Sequence, residues 1–153
     1  MIKILFVCHG NICRSPMAEF LMKDFVEKKG ESEKFYIASG ATSSEELGNP
    51  VHYGTRAILN KLNINCNGKY AYQINKSDYD KYDYIIAMES YNIRNMMRIF
   101  NEDKDNKIFR LMDFTSCPKD VADPYYYGNF DVVYADILSG IEALYKYLKE
   151  KNV

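Results

Sequence analysis

The 153-residue chain is 47% apolar and 27% charged, enough apolar surface for one core of ordinary size, so a single domain over residues 1–153 is expected. Twenty basic against twenty-one acidic side chains leave a formal net charge of −1, which provides no footprint for nucleic acid. No apolar run approaches the ~20 residues of a membrane span, no signal-peptide layout opens the chain, and Cys8, Cys13, Cys66 and Cys117 have neither zinc spacing nor the density of a secreted disulfide framework, so a reducing cytoplasm is the expected setting.

Strand and helix patterns alternate along the chain. Ile2–Val7 is a continuous apolar run suited to a buried parallel strand. Met17–Lys29 carries Met17, Phe20, Leu21 and Phe25 at helical spacing, and Phe35–Ser39 is a short strand. Val51–Leu62 is a second helix, with Ala57, Ile58 and Leu62 on one face. Tyr84–Met88 is the next buried strand, and Tyr91–Phe100 a helix built on Ile93, Met96, Met97 and Phe100. Ile108–Met112 is a last strand. Val132–Leu148 is a long closing helix with Ile137, Leu138, Ile141, Leu144, Tyr145 and Leu148 inward, and its lysine-rich end reads as solvated. This order predicts an α/β fold: a doubly wound parallel sheet of about four strands with helices on both faces and a phosphate-binding loop after the first strand. The ligand crevice of such a sheet lies at the carboxyl ends of its strands.

The loop that falls there reads Cys8-His9-Gly10-Asn11-Ile12-Cys13-Arg14-Ser15, followed by Pro16 at the start of a helix. A strand, a small-residue loop and a helix that opens with proline form a phosphate cradle. Gly10 and Asn11 tolerate the positive φ angles of a tight anion nest. Loop N–H groups and the helix N-terminus then favour an anion, which is expected to lower the pKa of the Cys8 thiol below the free value of about 8.5. A thiolate is a nucleophile that needs no neighbouring base. Arg14 can hold two phosphoryl oxygens at once, and Ser15 can donate to the sulfur. A lone cysteine at a strand end is most often core, and a cysteine five residues before an arginine recurs by chance. The preceding strand, the Gly-Asn inside the loop and the Arg-Ser-Pro after it favour a cysteine-dependent phosphatase instead. His9 is expected on the pocket rim with its side chain outward.

Expelling an alkoxide or phenolate needs a general acid. Asp123 in Val121-Ala122-Asp123-Pro124-Tyr125-Tyr126-Tyr127-Gly128 is the candidate. Pro124 restricts Asp123 to extended backbone, Gly128 supplies a turn, and the tyrosines offer aromatic walls to a flat aryl group. Asp-Pro alone is more often a surface turn.

Taken with Ser39-Gly40-Ala41-Thr42, Gly48-Asn49-Pro50 and Asp83-Tyr84-Ile85-Ile86-Ala87-Met88, these two motifs resemble the low-molecular-weight protein tyrosine phosphatases over essentially the whole chain. The resemblance implies a phosphocysteine on Cys8, phosphate held by His9, Gly10, Asn11, Ile12, Cys13, Arg14 and Ser15, and Asp123 as acid and then base. It implies loop support from Asn11, Ser15, Ser39 and Glu89, substrate-flanking Tyr125 and Tyr126, and a reversible disulfide between Cys13 and Cys8 that protects the nucleophile. Phosphotyrosine-containing proteins would be the substrates, with phosphate and vanadate as inhibitors, no metal or organic cofactor, and a monomer or weak dimer. The sequence departs from the family at Lys69, where histidine is usual, so the support of the loop is expected to be rebuilt. It departs again at Glu89, usually aspartate, and at Glu45, where several relatives place an aromatic, which is expected to alter peptide preference.

Other readings are weaker. An arsenate reductase of the same fold would need two further cysteines near the third strand, where Ala87-Met88-Glu89-Ser90-Tyr91 has none. A phosphoarginine phosphatase implies threonine in place of Ile12. A non-catalytic phosphate-binding module would be expected to have lost Cys8, Arg14 or Asp123, and all three are present.

Overall fold

Ile4, Leu5, Phe6 and Val7 are successive buried residues, so strand β1 (Ile2–Cys8) meets apolar neighbours on both faces, as the centre of a parallel sheet must. A computed structural model describes residues 1–124 and 129–151. β1 pairs with β2 (Phe35–Ala41) on one side and β3 (Tyr84–Ala87) on the other, and β4 (Ile108–Arg110) adds to β3. All pairings are parallel, in the order β2-β1-β3-β4. The chain leaves β1 in one direction and returns to its other side, so the crevice of the switch point opens at Cys8, whose Cα partner is Ala41.

The pleat sends Ile4, Phe6 and Cys8 to one face and Leu5 and Val7 to the other. On the first face lie α1 (Arg14–Lys28), through Met17, Leu21, Met22 and Val26, and α4 (Phe130–Glu150), through Ile137, Ile141, Leu144 and Leu148; α2 (Tyr53–Lys61) packs beside them. On the second face α3 (Ser90–Phe100) buries Met96 and Phe100 against Ile85, Ala87 and Tyr79. The doubly wound α/β architecture expected from the alternation is the one observed. Among the described residues no helix is long and apolar enough to cross a membrane.

Element boundaries differ from the periodicity in informative ways. α1 starts at Arg14, ahead of the first apolar residue, because its opening turn is polar yet buried beneath the loop. β2 continues past Ser39 to Ala41 because the end of β1 pairs with it there. β4 stops at Arg110, and Leu111–Phe114 turn as a 3-10 helix in which Asp113 accepts from the Arg110 side chain at 2.8 Å. α4 begins at Phe130, where Asn129 caps the Asp131 N–H at 2.9 Å. Its far end, Lys149 to Lys151, is exposed as expected, and Lys149 is tethered there. Lys149 donates to Glu31 at 2.7 Å and Tyr145 donates to the same carboxylate. With Lys34 they hold the Glu31 carboxyl down at about 2, and Lys149 has the largest share.

Helix α4 crosses the 3-10 turn at Gly140. A Cβ there would stand 2.4 Å from Cγ of fully buried Leu111. Gly140→Ala is therefore expected to destabilise the protein by about 1–2 kcal/mol. Overpacking costs ~1–3 kcal/mol, and the better helix propensity returns up to ~1 kcal/mol. A thermal melt lowered by a few degrees checks this, and a raised melting temperature would show that the crossing has room to spare.

Candidate active site

The loop between β1 and α1 turns at Asn11, whose φ of 59° is the left-handed conformation that asparagine tolerates. Positive φ was expected at Gly10 as well, but Gly10 does not adopt it. The space beside it is tight, since a Cβ would meet Cγ of Glu46 at 3.2 Å and the glutamate stem would have to give by a few tenths of an ångström. From outside, the loop carbonyls of Cys8, His9 and Ile12 accept from the N–H groups of Thr42, Ser43 and His52 at 3.1, 3.1 and 2.9 Å.

From inside, the loop is held by Asn11, which is 1% exposed. Its Oδ1 accepts from the Tyr72 N–H at 3.0 Å, and its Nδ2 donates to Ser15 Oγ at 2.7 Å and Ser39 Oγ at 2.9 Å. Ser39 donates in turn to buried Glu19 at 2.6 Å. Lys23 pairs with Glu19 at 2.6 Å, and Lys69 lies 3.7 Å from its other oxygen while donating to the Ser39 carbonyl at 2.9 Å. Lys69 thus occupies the place where the loop support was expected to be rebuilt. Burial lowers its pKa, and Glu19 opposes that. Ser15 accepts from Asn11, so its own proton can point to Cys8 Sγ at 3.0 Å. The Asn11 N–H adds a second contact to the sulfur at 3.2 Å.

Arg14 is also buried, and its Nη1 donates to Glu89 at 2.6 Å and to the Val121 carbonyl at 3.3 Å. Its Nη2 stands 3.9 Å from Asp123 Oδ2. Burial works against the guanidinium charge, but Cys8, Glu89 and Asp123 outweigh it and raise the Arg14 pKa above its ordinary value. The segment that carries Asp123 is strapped down on two sides. The Val121 N–H donates to the Met88 carbonyl at 2.9 Å, and the Ala122 N–H donates to Asp136 of α4 at 3.3 Å.

The resulting cleft of about 730 Å³ is lined by the loop from Cys8 to Arg14, by Glu45, Glu46, Glu89 and Tyr91, and by Asp123 and Pro124. His9 sits on its rim as expected, with Nε2 3.0 Å from Glu45 and its ring 6.4 Å from that of Tyr91. Ile12 and Cys13 are buried with Ala71. The expected aromatic flanks Tyr125 and Tyr126, and the turn at Gly128, lie outside the described residues. Among the described residues no cluster of three or more His, Cys, Asp or Glu side chains is placed to hold a metal ion.

Tyr91, Glu46 and Glu19 are among the participants that had no role in the sequence reading. Tyr91 stands in the first turn of α3 and reads as part of an amphipathic helix. Glu46 lies in a polar run without a motif. Glu19 sits between apolar Ala18 and Phe20, and a carboxylate in a core stripe was the available signal.

Comparison with known proteins agrees over the whole length. The family described as low molecular weight phosphotyrosine protein phosphatase matches residues 3–153. The chain is 42% identical over 156 residues to the low molecular weight protein-tyrosine-phosphatase YfkJ of Bacillus subtilis, covering all of both sequences. It is 39% identical over 155 residues to PtpA of Staphylococcus aureus, covering all of this chain and 98% of the relative. The crystal structure of YfkJ superposes with a TM-score of 0.94 at 40% identity, over 100% of this chain and 98% of that one. A cysteine-to-arginine loop on the central strand and a match from one end of the sheet to the other lead to one conclusion: the chain is an enzyme of the low molecular weight protein tyrosine phosphatase family.

Proposed function

We propose that the enzyme hydrolyses phosphotyrosine monoesters in proteins, and aryl phosphates generally, through a phosphocysteine on Cys8. The observation that carries this reading is one cleft in which the Cys8 sulfur, donors facing it, buried Arg14 and the Asp123 carboxyl converge. The phosphoryl group would sit over the loop, its equatorial oxygens toward loop N–H groups and Arg14. Glu89 fixes the plane of Arg14, so the guanidinium meets the transition state without reorganising.

In the first step the thiolate attacks phosphorus in line. The S–P bond forms, the P–O bond to the ring breaks, and protonated Asp123 gives its proton to the departing phenolate oxygen. In the second step the Asp123 carboxylate takes a proton from water, the water oxygen attacks phosphorus, and the S–P bond breaks to return a thiolate. Ser15 and the Asn11 N–H favour that leaving group by hydrogen bonding to negative sulfur. Cys13, on the same loop, is the proposed partner for a reversible disulfide with Cys8 that spares the nucleophile from over-oxidation. The apolar bulk of Ile12 beside the nest favours an aryl ester over phosphoarginine.

Steady-state turnover of phosphotyrosine, phosphoserine, phosphoarginine and arsenate, measured side by side without added metal, tests the reading. Phosphotyrosine is expected to have the highest kcat/KM, with inorganic phosphate and vanadate inhibiting competitively. Phosphoarginine turnover that equals or exceeds it would overturn the assignment.

A further inference from the structure

We infer that Glu45 and Glu46 select phosphotyrosine segments that carry lysine or arginine beside the phosphotyrosine. This deepens the phosphotyrosine reading of the cleft and rests on it. A volume of about 730 Å³ falls among sites that hold a whole drug-sized ligand (~300–1,000 Å³), so the flanks of a peptide as well as the phosphorylated ring reach its walls. Those walls are not neutral. Glu45, Glu46, Glu89 and Asp123 line the cleft against one guanidinium, Arg14, and the imidazole of His9. Arg14 faces Glu89 and Asp123 at 2.6 and 3.9 Å, so the two rim glutamates meet no lysine or arginine among the described lining residues, and Glu45 has only the His9 imidazole at 3.0 Å.

Their placement suits contact with the flanks and not with the phosphate. The segment from Thr42 to Gly48 runs over the outside of the nest, bonded to the Cys8, His9 and Ala71 carbonyls. Glu46 packs its stem over Gly10, and its carboxylate accepts from the neutral amide of Asn49 at 2.7 Å, a bond that orients the charge without cancelling it. Glu45 is well exposed, with 69% of its side chain accessible, and its partner is His9. Backbone bonds from Leu47 to Ser44 and from Asn49 to Glu46 keep this rim in shape. A basic flank would gain two partly exposed ion pairs here, and an acidic flank would meet like charge.

The test is kcat/KM for two phosphotyrosine peptides that differ only in having lysine or glutamate on both sides of the phosphotyrosine. The unaltered enzyme is expected to prefer the lysine peptide by roughly three- to tenfold at low salt, and the ratio is expected to shrink toward unity at ~0.5 M salt. The double variant E45Q/E46Q is expected to bring the ratio near one, and E45K/E46K to invert it. Equal kcat/KM for the two peptides in the unaltered enzyme would overturn the inference, as would a preference that survives E45Q/E46Q. The salt series needs no variant and shows whether the preference is electrostatic, and the inversion by E45K/E46K separates these two carboxylates from Glu89 and Asp123. Turnover of neither peptide would remove the phosphotyrosine reading itself, and this inference with it. Equal turnover of both would leave that reading intact and remove only the selectivity.

Discussion

Cys8→Ser enzyme is expected to bind inorganic phosphate nearly as well as the unaltered enzyme and to turn over aryl phosphates slower by a factor on the order of 10⁴ or more. The nest is made of backbone N–H groups, Arg14 and the Asn11 network, none of which the exchange removes. A serine hydroxyl is a far weaker nucleophile than a thiolate and needs a base, and the carboxyl in the cleft, Asp123, is assigned to the leaving group and then to water. The His9 imidazole is turned to Glu45 at the rim, and Ser15 already accepts from Asn11. Phosphate binding by calorimetry and single-turnover assays separate the two properties. Turnover within tenfold of the unaltered enzyme would end the assignment of Cys8 as nucleophile.

The second large effect concerns the leaving group. Asp123→Ala is expected to slow phenyl phosphate hydrolysis by about 10²–10⁴, the usual worth of a positioned general acid. Esters of strongly acidic phenols should lose far less, because their leaving group departs without a proton. Arg14 would lose its 3.9 Å neighbour but keep Glu89 at 2.6 Å, so phosphate affinity should change little. The measurement is kcat across a series of substituted phenyl phosphates. A steeper dependence on phenol acidity supports the role, and an equal loss for every ester refutes it.

Much of the fold could be read from local pattern, because a central parallel strand is apolar on both faces and a helix is not. Ile2–Val7 and the alternation after it therefore placed the sheet, the crevice and the loop. Asp123 was legible because proline fixes the backbone next to it. Glu89 was legible only through the family resemblance, which places an acid after Met88. What local pattern cannot carry is contact across long sequence separation. Asn11 meets Ser39 and Tyr72, and Arg14 meets the Val121 carbonyl, through pairings that exist only once the sheet has formed. Gly10 shows a subtler limit. A glycine in a loop suggests unusual backbone, yet here φ is not positive and the residue's visible feature is the close stem of Glu46. Helix starts were misplaced for a related reason: the first turns of α1 and α4 are polar or capped, and apolar periodicity begins after them.

One buried amide, Asn11, ties the nest to the second strand, to the first helix and to the chain at residue 72. A nest fastened to so many layers cannot soften on its own while the remainder stays intact. Its shape and the cooperative integrity of the protein are therefore expected to be lost together, so activity and helical signal are expected to fall in one thermal transition.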